Sequence, residues 1–189
     1  MDVAIDLAMQ GGFENIRQRD VALAAGVALG TLYKAFRSKE DILVAAVKRQ
    51  AETLGARLAS KSIEGKNVLD RIGNFYEVLT RAMCRKPHYA RAVIRAMASG
   101  EPEITSNLVG YRELMTSMSV AAMRGVGKLD PEQPSDAPTP EEARFAGYLQ
   151  DVWFSALVGW SAGFLTQPQV VQHMRDVASA LVNGMNLKR

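Results

Sequence analysis

Five cations crowd one short stretch of this 189-residue chain: Arg17, Arg19, Lys34, Arg37 and Lys39, against the single acid Asp20. A local surplus of this kind suits a polyanion, because each cation can neutralise a phosphate and release a counterion. The net charge of the whole chain is only +3, so bulk electrostatics alone does not single out nucleic acid. Other chemistry has little to work with. His88 and His173 are far apart in sequence, each without a neighbouring ligand pattern. Paired cysteines, H-E-x-x-H, a phosphate loop and G-x-S-x-G are all missing. Cys84 lies among Arg81, Arg85 and Lys86, charges that lower a thiol pKa where they converge. On an amphipathic helix beside Met83 it reads instead as an inert small hydrophobe. These features describe a binding protein rather than an enzyme, and they call for no cofactor and no metal.

Three of these cations, Lys34, Arg37 and Lys39, are carried by the string ALAAGVALGTLYKAFRSKEDIL, Ala22 to Leu43, and Arg17 and Arg19 lie just before it. It reads as two short helices joined by a tight turn, followed by a capped third helix. Val21, Ala22 and Ala25 form a small-residue face on the first. Gly26 sits where the turn needs a residue tolerant of positive φ, and Val27 follows as an apolar plug. In the second helix Leu32 and Phe36 are four apart and face the core, leaving Thr31, Tyr33 and Lys34 outward. Ser38 and Asp41 form a cap of the S-x-x-[DE] type that opens a long helix. A helix-turn-helix of this shape lays its second helix in the major groove of DNA.

The stretch AGVALGTLYKAFRSKEDIL, with the lead-in Ala4-x-x-Leu7 and Gly12-Phe13, closely resembles the DNA-binding signature of the TetR family of bacterial repressors. The likeness covers Ala4 to Val47. It implies a helix-turn-helix domain over residues 1–47, with a first helix whose start is cut short or preceded by residues outside this sequence, and a ligand-binding and dimerisation domain over 48–189. It also implies roles on double-stranded DNA bearing a palindromic operator. Thr31 and Lys34 reach base edges, Ala28 and Leu29 touch thymine methyls, and Gly30 lets backbone approach closely. Tyr33 and Lys39 hold phosphate, the latter beside the amides of its helix N-terminus. Arg17 and Gln18 depart from the family, which often places Ser or Thr and then an apolar residue there. Either Asn15 caps that helix one turn early, or Arg17 extends the basic surface together with Arg19. A dimeric, partner-binding protein that has lost operator binding is the alternative these departures leave open.

The remainder reads as helix, so the fold class is all-α. The helix begun at Ser38 continues from Ile42 to Leu58, and a second follows the apolar spacing from Val68 to Met83. Pro87 ends or kinks it. Further helices are expected over Ala90–Ala98 and Glu103–Arg124. The Pro-rich stretch Gly125–Pro140, with Pro131, Pro134 and Pro138, reads as a mobile loop. Thr139 caps the next helix, with Pro140 at its first position and Glu141 and Glu142 in its first turn; it is expected over Pro140–Thr166. The last opens at Pro168 and ends near Asn186.

Along Phe145 to Leu165 apolar residues occupy nearly the whole circumference, which demands burial on all sides. Ala156, Gly159 and Gly163 allow close helix approach. The last helix offers a second apolar face through Val170, Met174, Val177, Leu181 and Met185. Two such helices per subunit match the four-helix homodimer interface the resemblance implies, and a two-fold dimer suits two half-sites. Between these helices and the DNA-binding segment the sequence supplies Phe75, Leu79, Met83, Met97, Tyr111, Met115 and Met118, and the first of the two helices adds Trp153 and Trp160. Methionine adapts to irregular apolar shapes, and apolar pockets hold small molecules, so this set is the expected site of a small hydrophobic effector. LTRAMCRKPHYARAVIRAM and QDVWFSALVGW look similar to actinobacterial TetR-like regulators of sterol and lipid catabolism, which implies a steroid or acyl-thioester effector. The single cysteine suits a reducing cytoplasm, no run of about 18 apolar residues suggests a membrane span, and no cleavable leader is seen.

Overall fold

The structure, a computed structural model, describes residues 1–130 and 132–184, in which all regular elements are helical. They are α1 (Asp2–Gly11), α2 (Gln18–Ala24), α3 (Leu29–Ala35), α4 (Lys39–Ser60), α5 (Val68–Cys84), α6 (Pro87–Met97), α7 (Thr105–Arg124), α8 (Pro140–Ser161) and α9 (Gln167–Gly184), with short 3-10 turns at Phe13–Asn15, Pro102–Ile104 and Pro134–Asp136. Pro131, Met185 and Asn186 lie outside the described residues. The chain divides into two compact units, one of residues 1–51 and 83–111, the other of residues 52–82 and 112–189; α4, α5 and α7 each contribute to both.

In the first unit α1 packs on α6, and α6 on the Phe13–Asn15 turn. Ala4, Ile5 and Ala8 supply the buried stripe of α1, and Ile42, Leu43, Ala46 and Val47 that of α4. In the second unit α8 and α9 pack on one another, and Phe75, Tyr76, Phe145, Leu149, Leu157 and Met174 are buried almost completely. The α7 C-terminus is held by side chains. Arg71 of α5 donates to the last carbonyls of α7, from Nε to Ala122 O (3.1 Å) and from an Nη to Met123 O (2.7 Å). A cation there satisfies carbonyls that have no partner within the helix and complements the helix dipole.

Three boundaries differ from the sequence reading. Pro87 does not end a helix but starts one: it is the first residue of α6, after Lys86 as N-cap, because a proline lacks an N–H that this position would leave unpaired anyway. Helix α7 starts at Thr105 because Pro102–Ile104 form a 3-10 turn. Helix α8 stops at Ser161, short of Thr166. Gly163 takes a φ of 87°, and the amides of Gly163 and Phe164 turn back to Trp160 O and Gly159 O. A Cβ on Gly159 would lie 2.8 Å from Phe164 Cζ and 2.9 Å from Leu165 Cδ1. These glycines therefore serve the helix's own C-terminal turn. Within the single chain Tyr148 and Val158 of α8 are exposed.

The loop before α8 is tied down by Arg124, which donates to Asp136 O and Ala137 O (both 3.1 Å) and grips both carboxylate oxygens of Glu142 (2.9 and 2.7 Å). Glu142 also accepts from Thr139 N (2.8 Å), while Glu142 N donates to Thr139 Oγ1 (3.2 Å), a reciprocal capping box. The hydrogen bond from Arg124, more than the Thr139 contacts, holds the Glu142 carboxyl below its ordinary value of 4.5. A carboxylate whose folded pKa is depressed stabilises the fold above its unfolded pKa, and that stability fades as the pH falls through the folded value. Glu142→Gln is therefore expected to lower stability by about 1–3 kcal/mol at neutral pH. It should also flatten the loss of stability below about pH 4.5, as followed by denaturant unfolding across pH.

Candidate nucleic-acid interface and effector core

The helix-turn-helix is assembled by short-range bonds. Gly26 has a φ of 67° with open space around a hypothetical Cβ, so backbone conformation alone selects glycine there. The amides of Ala25, Gly26 and Val27 return to Val21, Leu23 and Ala22 carbonyls and close the turn. Val21 and Ala22 are buried, whereas Ala25 is exposed at the helix end and Val27 is 41% exposed. Val27 thus lies on the surface instead of plugging the two helices together. Leu23, at 81% exposure, is a second apolar surface residue that periodicity did not single out.

The cap expected from Asn15 for α2 does not form, and the alternative places Arg17 on the surface, where it is exposed. Arg17 occupies the N-cap position without a capping bond, and Asn15 fills the space beside Gly11. Gln18 explains the family departure differently: its Nε2 donates to Phe36 O at 3.3 Å, tying the start of α2 to the C-cap of α3. Of α3 only Leu32 is buried, and Phe36 beyond it is half-buried. Ala28, Leu29, Gly30, Thr31, Tyr33 and Lys34 are all exposed, as are Arg17, Arg19 and Arg37. A Cβ on Gly30 would meet nothing within 4 Å, so the fold itself does not need glycine there.

The start of α4 is more heavily bonded. Ser38 Oγ accepts from Asp41 N (3.0 Å), and Asp41 Oδ2 accepts from Arg37 N (3.2 Å). Asp41 is buried, and its Oδ1 accepts from Nδ2 of Asn107 on α7 at 2.7 Å. Lys39 is half-buried, with Nζ 3.9 Å from the centre of the Phe13 ring and 3.5 Å from Phe13 O. The Arg95 guanidinium of α6 lies 4.4 Å from the same ring and pairs with Glu14 at 2.6 Å. Cation–π contacts of this kind are worth about 0.5–1 kcal/mol at exposed sites. Phe13 stands out in the sequence only as part of the lead-in Gly12-Phe13, and Asn107 not at all, since both act through partners distant along the chain.

The nine apolar candidates divide between the units. Phe75, Leu79, Met115, Met118, Trp153 and Trp160 belong to the second; Met83, Met97 and Tyr111 to the first. Phe75, Leu79, Met115, Trp153 and Trp160 are buried, and Met118 is half-buried, with Sδ 3.4 Å from where a Cβ on Gly55 would stand. Tyr76, absent from the candidate set, lies edge-on to both Phe75 (5.3 Å) and Trp153 (5.9 Å). Polar groups are few and specific: Trp153 Nε1 donates to Thr80 Oγ1 (3.0 Å) and Gln150 Nε2 to Thr116 Oγ1 (2.9 Å). In the first unit Tyr111 is buried and Met83 and Met97 half-buried. Burial pushes the Cys84 thiol up to about 12, so the cations near it in sequence do not activate it. His88 and His173 are exposed, and the described residues contain no cluster of side chains able to hold a metal ion. No described helix is long and apolar enough to cross a membrane.

Comparison with known proteins sets this arrangement among relatives. Residues 1–46 match "Bacterial regulatory proteins, tetR family" and residues 65–181 match "Tetracyclin repressor-like, C-terminal domain". The chain is 34% identical over 160 residues to the HTH-type transcriptional repressor KstR of Rhodococcus jostii (strain RHA1), covering 85% of this chain and 70% of that protein. A solved TetR transcriptional regulator from Rhodococcus sp. RHA1 superposes with a TM-score of 0.83 at 23% identity, over 99% of this chain and 94% of that one. FadR of Bacillus subtilis, solved in complex with stearoyl-CoA, shares the fold at a TM-score of 0.57 and 18% identity, over 97% and 96%. With its helix-turn-helix and its C-terminal helices matched separately, and a repressor similar over most of its length, the chain belongs to the TetR family of bacterial transcriptional regulators.

Proposed function

We propose that this regulator is a cytoplasmic repressor that binds a palindromic operator as a homodimer and is released by a small hydrophobic effector, a sterol-like molecule or an acyl thioester. The single observation that carries the DNA reading is α3, a seven-residue helix with one buried side chain and its remaining surface turned outward. In this reading residues 1–47 form the DNA-binding part. Thr31 and Lys34 read base edges, and Ala28 and Leu29 meet thymine methyls. Gly30 leaves room for the backbone of the duplex, which accounts for a glycine that the fold does not require. Tyr33, Arg17, Arg19 and Lys39 contact phosphate; Lys39 does so from its seat on Phe13.

Residues 48–189 carry the effector and dimer functions. The second unit's aromatic and methionine side chains, interrupted by only a few hydrogen-bonded polar groups, suit an apolar ligand with one or two polar atoms. The stearoyl-CoA held by FadR on the same fold and the likeness to KstR favour an effector of lipid character. Exposed Tyr148 and Val158 on α8 and Phe164 after it favour a dimer contact through α8 and α9, since such apolar residues pack against a partner at little cost.

Operator binding is tested by selecting duplexes from random DNA with the purified protein and measuring affinity by mobility shift at two salt concentrations. The wild type should enrich a palindrome and bind it more weakly as salt rises. Thr31→Ala and Lys34→Met should each cost about 1–3 kcal/mol and relax preference at one base position. Lys39→Met and Tyr33→Phe should weaken all sequences alike, Lys39→Met lowering the salt slope by about one. Wild-type affinity and preference in both α3 variants would remove that helix from the reading role, and failure to enrich any sequence would favour a partner-binding protein.

The effector reading is tested with stearoyl-CoA and a sterol-derived acyl-CoA as probes. A binding probe should perturb Trp153 fluorescence and weaken operator affinity about tenfold or more, the usual scale of coupling between two sites. Met118→Trp, which enlarges the side chain that packs beside Gly55, should abolish that response. Unchanged operator affinity at saturating probe would overturn release by lipid effectors.

A further inference from the structure

Asp41 is the one charged side chain that is buried among the described residues, and all that it bonds to bears on the recognition helix. Its Oδ2 accepts the Arg37 amide and its own amide donates to Ser38 Oγ. The Phe36–Ser38 link, the chain connection between α3 and α4, is thus held at Arg37 and Ser38 by Asp41. The other oxygen, Oδ1, is held at 2.7 Å by Nδ2 of Asn107. A buried carboxylate is strongly oriented by a donor of this kind, because losing it leaves an oxygen unsatisfied away from water.

Asn107 stands on a particular stripe of α7. Spacings of four, four and three place Asn107, Tyr111, Met115 and Met118 on one face of the helix, spanning about 16 Å of its length. The same face therefore begins with the donor to Asp41 and continues through three of the apolar residues assigned above to the effector. A ligand that shifted α7 as a whole through Met115 and Met118 would carry Asn107 with it, because all three stand on one helix.

We infer that Asn107 is a positioning residue for operator recognition: it sets the Asp41 carboxylate, through it the α3–α4 link, and so passes the position of α7 to the recognition helix. The link between Asn107 and Asp41 stands on geometry alone, and its use by an effector rests on the function proposed above. The exchange of partners that conserves the hydrogen bond and the total charge is Asp41→Asn with Asn107→Asp, in which residue 41 becomes the donor and residue 107 the acceptor.

Four proteins decide it: wild type, Asn107→Asp, Asn107→Leu, and the double variant Asp41→Asn/Asn107→Asp. Amide hydrogen exchange at Arg37, operator affinity, stearoyl-CoA binding by tryptophan fluorescence, and the change in operator affinity caused by stearoyl-CoA are measured on each. Both single variants should exchange the Arg37 amide faster, bind the operator about tenfold more weakly and respond less to the probe, with probe binding itself unchanged. The double variant should return all these values to within about threefold of wild type, as a pair that interacts directly does. Wild-type exchange at Arg37 and wild-type operator affinity in both single variants would overturn the inference, as would a double variant no better than Asn107→Asp. If the wild type binds no operator or ignores the probe, the proposed function falls on its own, and exchange and rescue at Arg37 still decide whether Asn107 sets the link.

Discussion

A carboxylate taken out of water must have its oxygens hydrogen-bonded, because an unsatisfied one costs its full desolvation, and in this chain that constraint falls on Asp41. It lies in the first turn of α4, where the partial positive charge of the helix N-terminus favours an anion. The Arg37 amide and the Asn107 carboxamide supply its direct donors. The consequence is geometric. Because the acid is bonded on both oxygens, the backbone from Phe36 to Asp41 cannot reorient without breaking a bond to a buried charge, and α3 is attached to that backbone. The Phe13 ring fixes the same helix start from another side, with Lys39 and Arg95 both placed on it and Glu14 holding the latter. The position of α3 thereby depends on residues of α4, α6 and α7 as well as on its own Leu32.

The second unit uses the same device at the other end of α7. Arg71 takes up the last carbonyls of that helix and Arg124 closes on Glu142 and the loop before α8. The result is a long helix with specific polar attachments at both ends and an apolar stripe between them. Dispersion and burial hold the middle of α7, but they tolerate small shifts in register; hydrogen bonds of 2.7 to 3.1 Å do not. Polar ends on an apolar shaft are what a helix needs if movement in its middle is to have a defined consequence at its tip.

What could be read from the sequence was local. Gly26, the Ser38–Asp41 pair and the Thr139-Pro140-Glu141-Glu142 run each fix structure within about four residues, and the helices they delimit lie where those signals place them. Signals with two local meanings misled. Pro87 can end a helix or begin one, and the fold uses the second. Gly163 can admit a neighbouring helix or end its own, and the turn that brings Phe164 and Leu165 back over Gly159 decides for the end. Long-range bonds were invisible: Gln18 looks like a family departure until Phe36 O appears beside it, and Asn107 is an ordinary helix-start residue until Asp41 is placed 2.7 Å away. The apolar set shows the same limit. Helical spacing identifies Phe75, Met115 and Trp153 as inward-facing, yet spacing cannot tell that Met83, Met97 and Tyr111 join a different packed unit.

The dimensions of α3 explain why its placement must be delegated. An isolated helix of seven residues is far below the length at which helices persist in water, and this one buries a single leucine and has no side-chain N-cap. A longer, better-buried recognition helix would be more stable but would have less surface free for a duplex. The sequence instead keeps α3 short and outward, and lets Gln18 hold its end and the Asp41 cap hold its exit. Such a helix has little stability of its own with which to resist a change in its supports. On the function proposed above, removing a bond from those supports would shift the surface offered to DNA, and the same economy of burial that leaves α3 exposed would make it responsive to the rest of the chain.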